Sequence, residues 1–140
     1  MVFDPLRKYP GYALRRASTM SMSDLSSRLA DLDLRISDAT VLLVIVSNPG
    51  VRQSAICKAL DIARANIAPL IARLEERTLI VRKPLDGRSH GLELTPEGEK
   101  LTAQVMTIVE EHERSILDKI PENLREPFML ALGHLWSPAD

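Results

Sequence analysis

The sequence predicts a mainly α-helical fold that carries one small β-hairpin, and two observations support this. The first is a helix with a clean apolar stripe, in which Ile67, Leu70, Ile71 and Leu74 recur at i, i+3, i+4 and i+7. The second is the stretch after it. Leu79-Ile80-Val81 reads as a strand, Asp86-Gly87 as a tight turn because glycine accepts positive φ, and Leu92-Glu93-Leu94 as the returning strand. A short helix from Gln53 to Leu60 and the turn Asp61-Ile62-Ala63 lie in front of the stripe. The order helix, turn, helix, strand, basic turn, strand is the layout of a winged helix-turn-helix.

Taken in order, residues 1–10 hold Pro5 and Pro10 and read as an irregular arm. From Gly11 to Leu32 the pattern is helical, with Leu14, Ala17, Ser21, Leu25, Leu29 and Leu32 sharing one stripe. Ser37 is placed to cap a helix over Asp38 to Ser47. Within it, Val41 to Val46 is wholly apolar and rich in β-branched residues, which by itself also suits a buried strand. Asn48-Pro49-Gly50 ends this element as a turn. Thr95 caps a long helix to about Lys119, with Pro96 at its first position and Glu97 at the positive end of the dipole. Its stripe is Leu101, Val105, Ile108, His112, Ile116 and Ile120, and Pro121 breaks it. A last helix over Glu122 to Trp136 carries Phe128, Leu132, Leu135 and Trp136.

Composition bounds the function. A chain of 140 residues, 45% hydrophobic, suits one domain with a real core and excludes a disordered chain. No apolar run approaches the ~20 residues that span a bilayer, and no apolar signal core follows Asp4, Arg7 and Lys8. One cysteine excludes an internal disulfide framework. The expectation is a cytoplasmic protein with no membrane partner. Net charge is −1, yet residues 61–90 hold six bases against four acids, and residues 97–126 four against eight. A locally basic face on an acidic body is compatible with DNA.

Four ordered motifs carry a family resemblance. Asp61-Ile62-Ala63-Arg64-Ala65-Asn66-Ile67 looks like the turn and start of a recognition helix, and Leu74-Glu75-Glu76-Arg77-Thr78-Leu79-Ile80 like its exit. Asp86-Gly87-Arg88-Ser89 resembles a D-x-R wing signature, and Leu94-Thr95-Pro96-Glu97-Gly98 the opening of the next helix. Together, from about Ser37 to Leu101, they resemble the MarR-type (multiple antibiotic resistance regulator) transcriptional regulators. The resemblance implies one domain over 1–140. Residues 37–96 would form the winged helix-turn-helix, and 11–36 and 97–140 the helices that dimerise. It further implies a repressor that occludes a promoter as a homodimer on an inverted repeat and is released by a small molecule. Two departures from the family stand out: Ala63 and Ala68 replace the usual Ser or Thr, and Pro69 lies past the first helical turn. Pro69 predicts a helix that starts late or bends there.

With its stripe inward, the recognition helix presents small side chains that let it sit deep in a major groove. Ala65, Ala68 and Pro69 face out, Asn66 is suited to adenine, and Arg64 or Arg73 to guanine or phosphate. Gln53 and Ser54, opening the short helix, join the expected DNA face. On the wing, the resemblance implies that Arg88 enters a minor groove and that Asp86 orients the hairpin; an arginine suits a narrow A·T groove, and Lys83, Ser89 and His90 suit phosphates. Met20, Met22 and Trp136 are candidates to line a pocket for an aromatic or phenolic effector. Cys57 reads as core packing. His90, His112 and His134 have no metal-ligand spacing, and His112 reads as a satisfied interface residue. No catalytic constellation stands out, so neither an enzyme nor a cofactor is expected. The alternative reading is a winged helix that docks protein without binding DNA, which the presence of Arg88 disfavours.

Overall fold

The computed structural model describes residues 2–137. Its elements are α1 (Pro10–Ala30), α2 (Ile36–Ser47), α3 (Gln53–Leu60), α4 (Arg64–Glu76), β1 (Ile80–Pro84), β2 (His90–Leu94), α5 (Pro96–Asp118) and α6 (Glu122–Trp136). The fold is mainly helical with one antiparallel hairpin, in which Ile80 faces Leu94 and Pro84 faces His90.

The Val41–Val46 run is helical. Only Val41, Leu42 and Ile45 of it are buried, a helical spacing that a strand would not produce. The helix begins earlier than expected. Ser37 lies inside the first turn, and Asp38 reaches back to accept the Arg35 backbone N–H at 2.9 Å. At the start of α5 the expected cap is present: Thr95 Oγ1 accepts the Gly98 N–H at 3.0 Å. Gly98 rests directly on the Leu79 backbone, where any Cβ would collide, so α5 packs tightly on the entry to the hairpin. Helix α4 starts at Arg64 and runs unbroken through Pro69. It therefore does not start late. Pro69 removes the donor for the Ala65 carbonyl, but both residues are exposed and water can take its place.

The core gathers Leu29 and Leu34 with Val41, Leu42 and Ile45 of α2, Ile56 of α3, and the α4 stripe. Leu79, Ile80, Leu92 and Val105 complete it. Cys57 packs against its edge, as expected of a small hydrophobe. One contact is not legible in the chain: Val51, two residues before α3, makes an isolated antiparallel bridge to Leu92 beside the hairpin.

Helix α1 is fastened to α5 by a polar cluster. His112, buried, lies 2.7 Å by its Nδ1 from Asp24 Oδ2 and 3.3 Å by its Nε2 from Ser21 Oγ. An ionised carboxylate can only accept, so Nδ1 carries the proton. These hydrogen bonds, first His112 and then Arg28 at 2.9 Å, hold the Asp24 carboxyl below its ordinary range. Serine, histidine and aspartate thus do meet here, with His112 lying 88 and 91 residues from Asp24 and Ser21 in sequence. The amides around Ser21 belong to the α1 ladder and leave no pair of donors for an oxyanion, so the cluster serves as a latch.

Candidate nucleic-acid interface

Helix α4 enters from a tight turn. Asp61 ends α3 in the left-handed region at φ 53°, a conformation its short polar side chain tolerates, and Ala63 begins α4 from extended backbone. The buried stripe of Ile67, Leu70, Ile71 and Leu74 fixes the rotation of α4. Arg64, Ala65, Asn66, Ala68 and Pro69 consequently form one exposed surface over its first half. Ser54 on α3 is also exposed.

The wing is pinned to the body by ion pairs. Arg52, just before α3, reaches Asp86 of the wing at 3.3 Å. From β1, Arg82 donates to Glu75 of α4 at 3.0 Å and to Gln53 Oε1 at 3.4 Å. Lys83 pairs with Glu93 across the hairpin at 2.7 Å. The tip closes as the Leu85 N–H donates to the Ser89 carbonyl and the Ser89 N–H to the Asp86 carbonyl, with Gly87 at φ 51°. Arg88 stands exposed at this tip, and like Arg64 it makes no ion pair with any described residue.

The expected residues therefore fall into two groups. Arg64, Asn66 and Arg88 are exposed and unpaired, whereas Gln53, Lys83, Asp86 and Arg73 are engaged within the chain. Arg73 differs most from the expectation. It lies beside Leu74 at the edge of the apolar stripe, and its guanidinium turns to Asp38 of α2 at 3.0 Å. Sequence reasoning missed Arg52 and Arg82 as the side chains that hold the wing. Their partners lie 34 and 7 residues away across tertiary contacts, with no local pattern to mark them.

Behind α4 lies an open cleft of about 700 Å³. Its walls come from α1 (Met22, Ser26), the connection to α2 (Leu34, Arg35), the start of α2 (Asp38), α4 (Arg73) and the residue after it (Arg77), among others. Of the effector candidates only Met22 lines it. Met20 is two residues away, roughly 200° around the same helix, and points elsewhere. Trp136 is exposed at the end of α6. The three do not form one site within a protomer. Among the described residues no cluster suited to a metal ion occurs, and no helix is long and apolar enough to cross a membrane.

Comparison with known proteins places this geometry. The MarR family model matches residues 32–89. The Escherichia coli O111:H- transcriptional regulator HosA is 32% identical over 99 residues, covering 69% of this chain and 73% of HosA. A Thauera aromatica protein described as the transcriptional regulatory protein for the hcr operon is 33% identical over 98 residues. The match spans 69% of this chain and 59% of the Thauera protein's length. Among solved structures, the transcriptional repressor CouR bound to a 23-mer DNA duplex superposes with TM-score 0.86 at 31% identity, over 96% of this chain and 97% of that one. CouR bound to p-coumaroyl-CoA superposes with TM-score 0.86 at 28% identity, over 99% of both chains. These relatives are regulators, not enzymes.

Proposed function

The chain belongs to the MarR family of transcriptional regulators, and from that premise we propose that it is a repressor. In this reading it binds an inverted-repeat promoter site as a homodimer and is released by a small anionic effector. The observation that carries DNA binding is the pairing of two exposed, uncompensated basic surfaces, Arg64 with Asn66 on α4 and Arg88 on the wing tip. Phosphate neutralisation needs cations that are free of internal partners. Asn66 and the small side chains beside it leave room for base edges, and Arg88 has the reach for a minor groove. CouR, which was solved with a DNA duplex, supports the same use of this fold.

Two further features support the finer parts of the reading. Helices α1 and α6 expose Leu14, Met20, Phe128, Leu130, Leu135 and Trp136, more apolar surface than a lone small domain ordinarily leaves to water. A second copy related by a two-fold axis would cover it and match an inverted repeat. The cleft behind α4 falls in the size range of small-molecule sites, and Arg35, which lines it and makes no ion pair with any described residue, favours a carboxylate or phosphate. The ligand-bound CouR structure is consistent with an anionic, aromatic effector class.

The test is selection of bound fragments from genomic DNA, followed by release with aromatic acids and their coenzyme A thioesters. Expected are fragments sharing an inverted repeat and at least one compound that frees them. Recovery of no DNA at low salt would move the reading to a winged helix that docks protein.

A further inference from the structure

Arg77, the residue that follows α4, is used by neither the DNA surface nor the core. Its Nη1 donates to the Asp33 carbonyl at 2.6 Å and its Nη2 to the Leu32 carbonyl at 3.1 Å. Both acceptors lie just past the end of α1, where helix carbonyls run out of intrahelical donors and the dipole is negative. Asp33 is held there at φ 53°. Four residues earlier, Arg73 reaches Asp38 at the start of α2. Among the described residues, these two arginines make the side-chain hydrogen bonds that join the end of α4 to the α1–α2 connection and the start of α2.

We propose that Arg77 is a positioning residue: its two-pronged grip on the end of α1 sets where the recognition helix sits relative to the dimerising helices. It would thereby set the half-site spacing that the dimer accepts. The inference rests on the DNA-binding dimer proposed above. The physical argument is one of stiffness. A planar guanidinium donating to two successive carbonyls fixes distance and angle together, which a single contact cannot do. Recognition helices in a two-fold dimer must match the DNA repeat, and one base pair added between half-sites moves them by ~3.4 Å and turns them by ~36°. A helix free to rock about its apolar stripe would tolerate such changes, whereas a clamped one would not.

The experiment uses duplexes built on the sequence that the full wild-type chain selects from randomised DNA, with the centre lengthened or shortened by one and two base pairs. The wild type should prefer one spacing sharply. Arg77→Met should lose about tenfold at that spacing, as expected for loss of charge-assisted hydrogen bonds, and lose less at the others, flattening the preference. Arg77→Lys keeps the charge but not the fork, so it should flatten the preference too, and it carries the test if Arg77→Met does not fold. Hydrogen exchange over residues 31–35 should quicken in both variants. A preference that stays sharp in Arg77→Lys or Arg77→Met overturns the clamp and leaves DNA binding standing. A wild-type chain that selects no sequence removes the DNA-binding reading and this role with it.

Discussion

Helices α4 and α6 are of similar length, 13 and 15 residues, and each carries an internal proline, Pro69 and Pro127. They differ in where their apolar side chains go. The four stripe residues of α4 are between 0% and 4% exposed, whereas α6 buries none, with Leu135 at 67% and Trp136 at 78%. The first helix is therefore oriented by its own protomer, and its rotation decides which side chains face outward. The second has no such reference. Phe128, Met129, Leu130 and Leu135 occupy more than one side of it, a distribution that suits packing against several surfaces rather than one core. Within one chain the winged part is complete, whereas α6 leaves its apolar side chains exposed.

The largest expected effect would break this comparison on the α4 side. Ile71→Ala removes a fully buried side chain and should cost about 2–5 kcal/mol in urea unfolding. A cost below about 1 kcal/mol, the range of surface changes, would mean that α4 is not anchored as described. Next comes Leu135→Glu on α6. It should leave the helical circular dichroism in place and weaken the proposed dimer by at least about tenfold, as for loss of an interface anchor. Sedimentation showing dimer strength equal to wild type would exclude the α6 face from the contact.

The same contrast explains what the sequence could tell. The α4 stripe, the Asp86-Gly87 turn, the Thr95 cap and the boundary at Pro121 are local signals, and each is found in the structure. Val41 to Val46 was ambiguous because an all-apolar run has no period to read, and tertiary burial outweighs weak β preference. A helical wheel puts Arg73 outward, and 41% of its side chain is exposed, but its pairing with Asp38 is a tertiary contact that no wheel displays. The latch of Ser21, Asp24 and His112 and the Val51–Leu92 bridge depend on chain segments meeting from afar. The Met20, Met22 and Trp136 grouping fails within a protomer because shared hydrophobicity does not imply a shared face.

A smaller effect sharpens the division among the basic residues. Arg88→Ala removes an unpaired charge at a wing tip that buries little, so the fold and dimer should survive. Affinity should fall at most sites, most strongly where flanking DNA is A·T-rich, and the salt slope should drop by roughly one per wing. Asn66→Ala should instead change the ranking of operator sequences, since it sits on the exposed α4 surface proposed to face the groove. Wild-type affinity and salt slope in Arg88→Ala would show that the wing does not touch DNA.

The smallest effect concerns how α4 ends. The Leu79 N–H donates to the Leu74 carbonyl at 3.0 Å and the Thr78 N–H to the Glu75 carbonyl at 2.9 Å, the pattern of a Schellman cap. That cap puts Thr78 at φ 58°, a left-handed conformation costly for a β-branched residue and natural for glycine. The hydroxyl compensates in part by donating to Glu97 Oε2 of α5 at 2.6 Å. Two substitutions separate these effects. Thr78→Ala loses the hydroxyl and keeps a Cβ at positive φ, so it should destabilise. Thr78→Gly loses the same hydroxyl and relieves the backbone, at the cost of a more flexible unfolded chain. Glycine should therefore exceed alanine in stability by about 1 kcal/mol, the usual penalty for a side chain in the left-handed region. Thermal unfolding of the two variants side by side measures this. Equal midpoints would mean that the α4 exit carries no backbone strain, and that Thr78 is kept there by its contact with α5 alone.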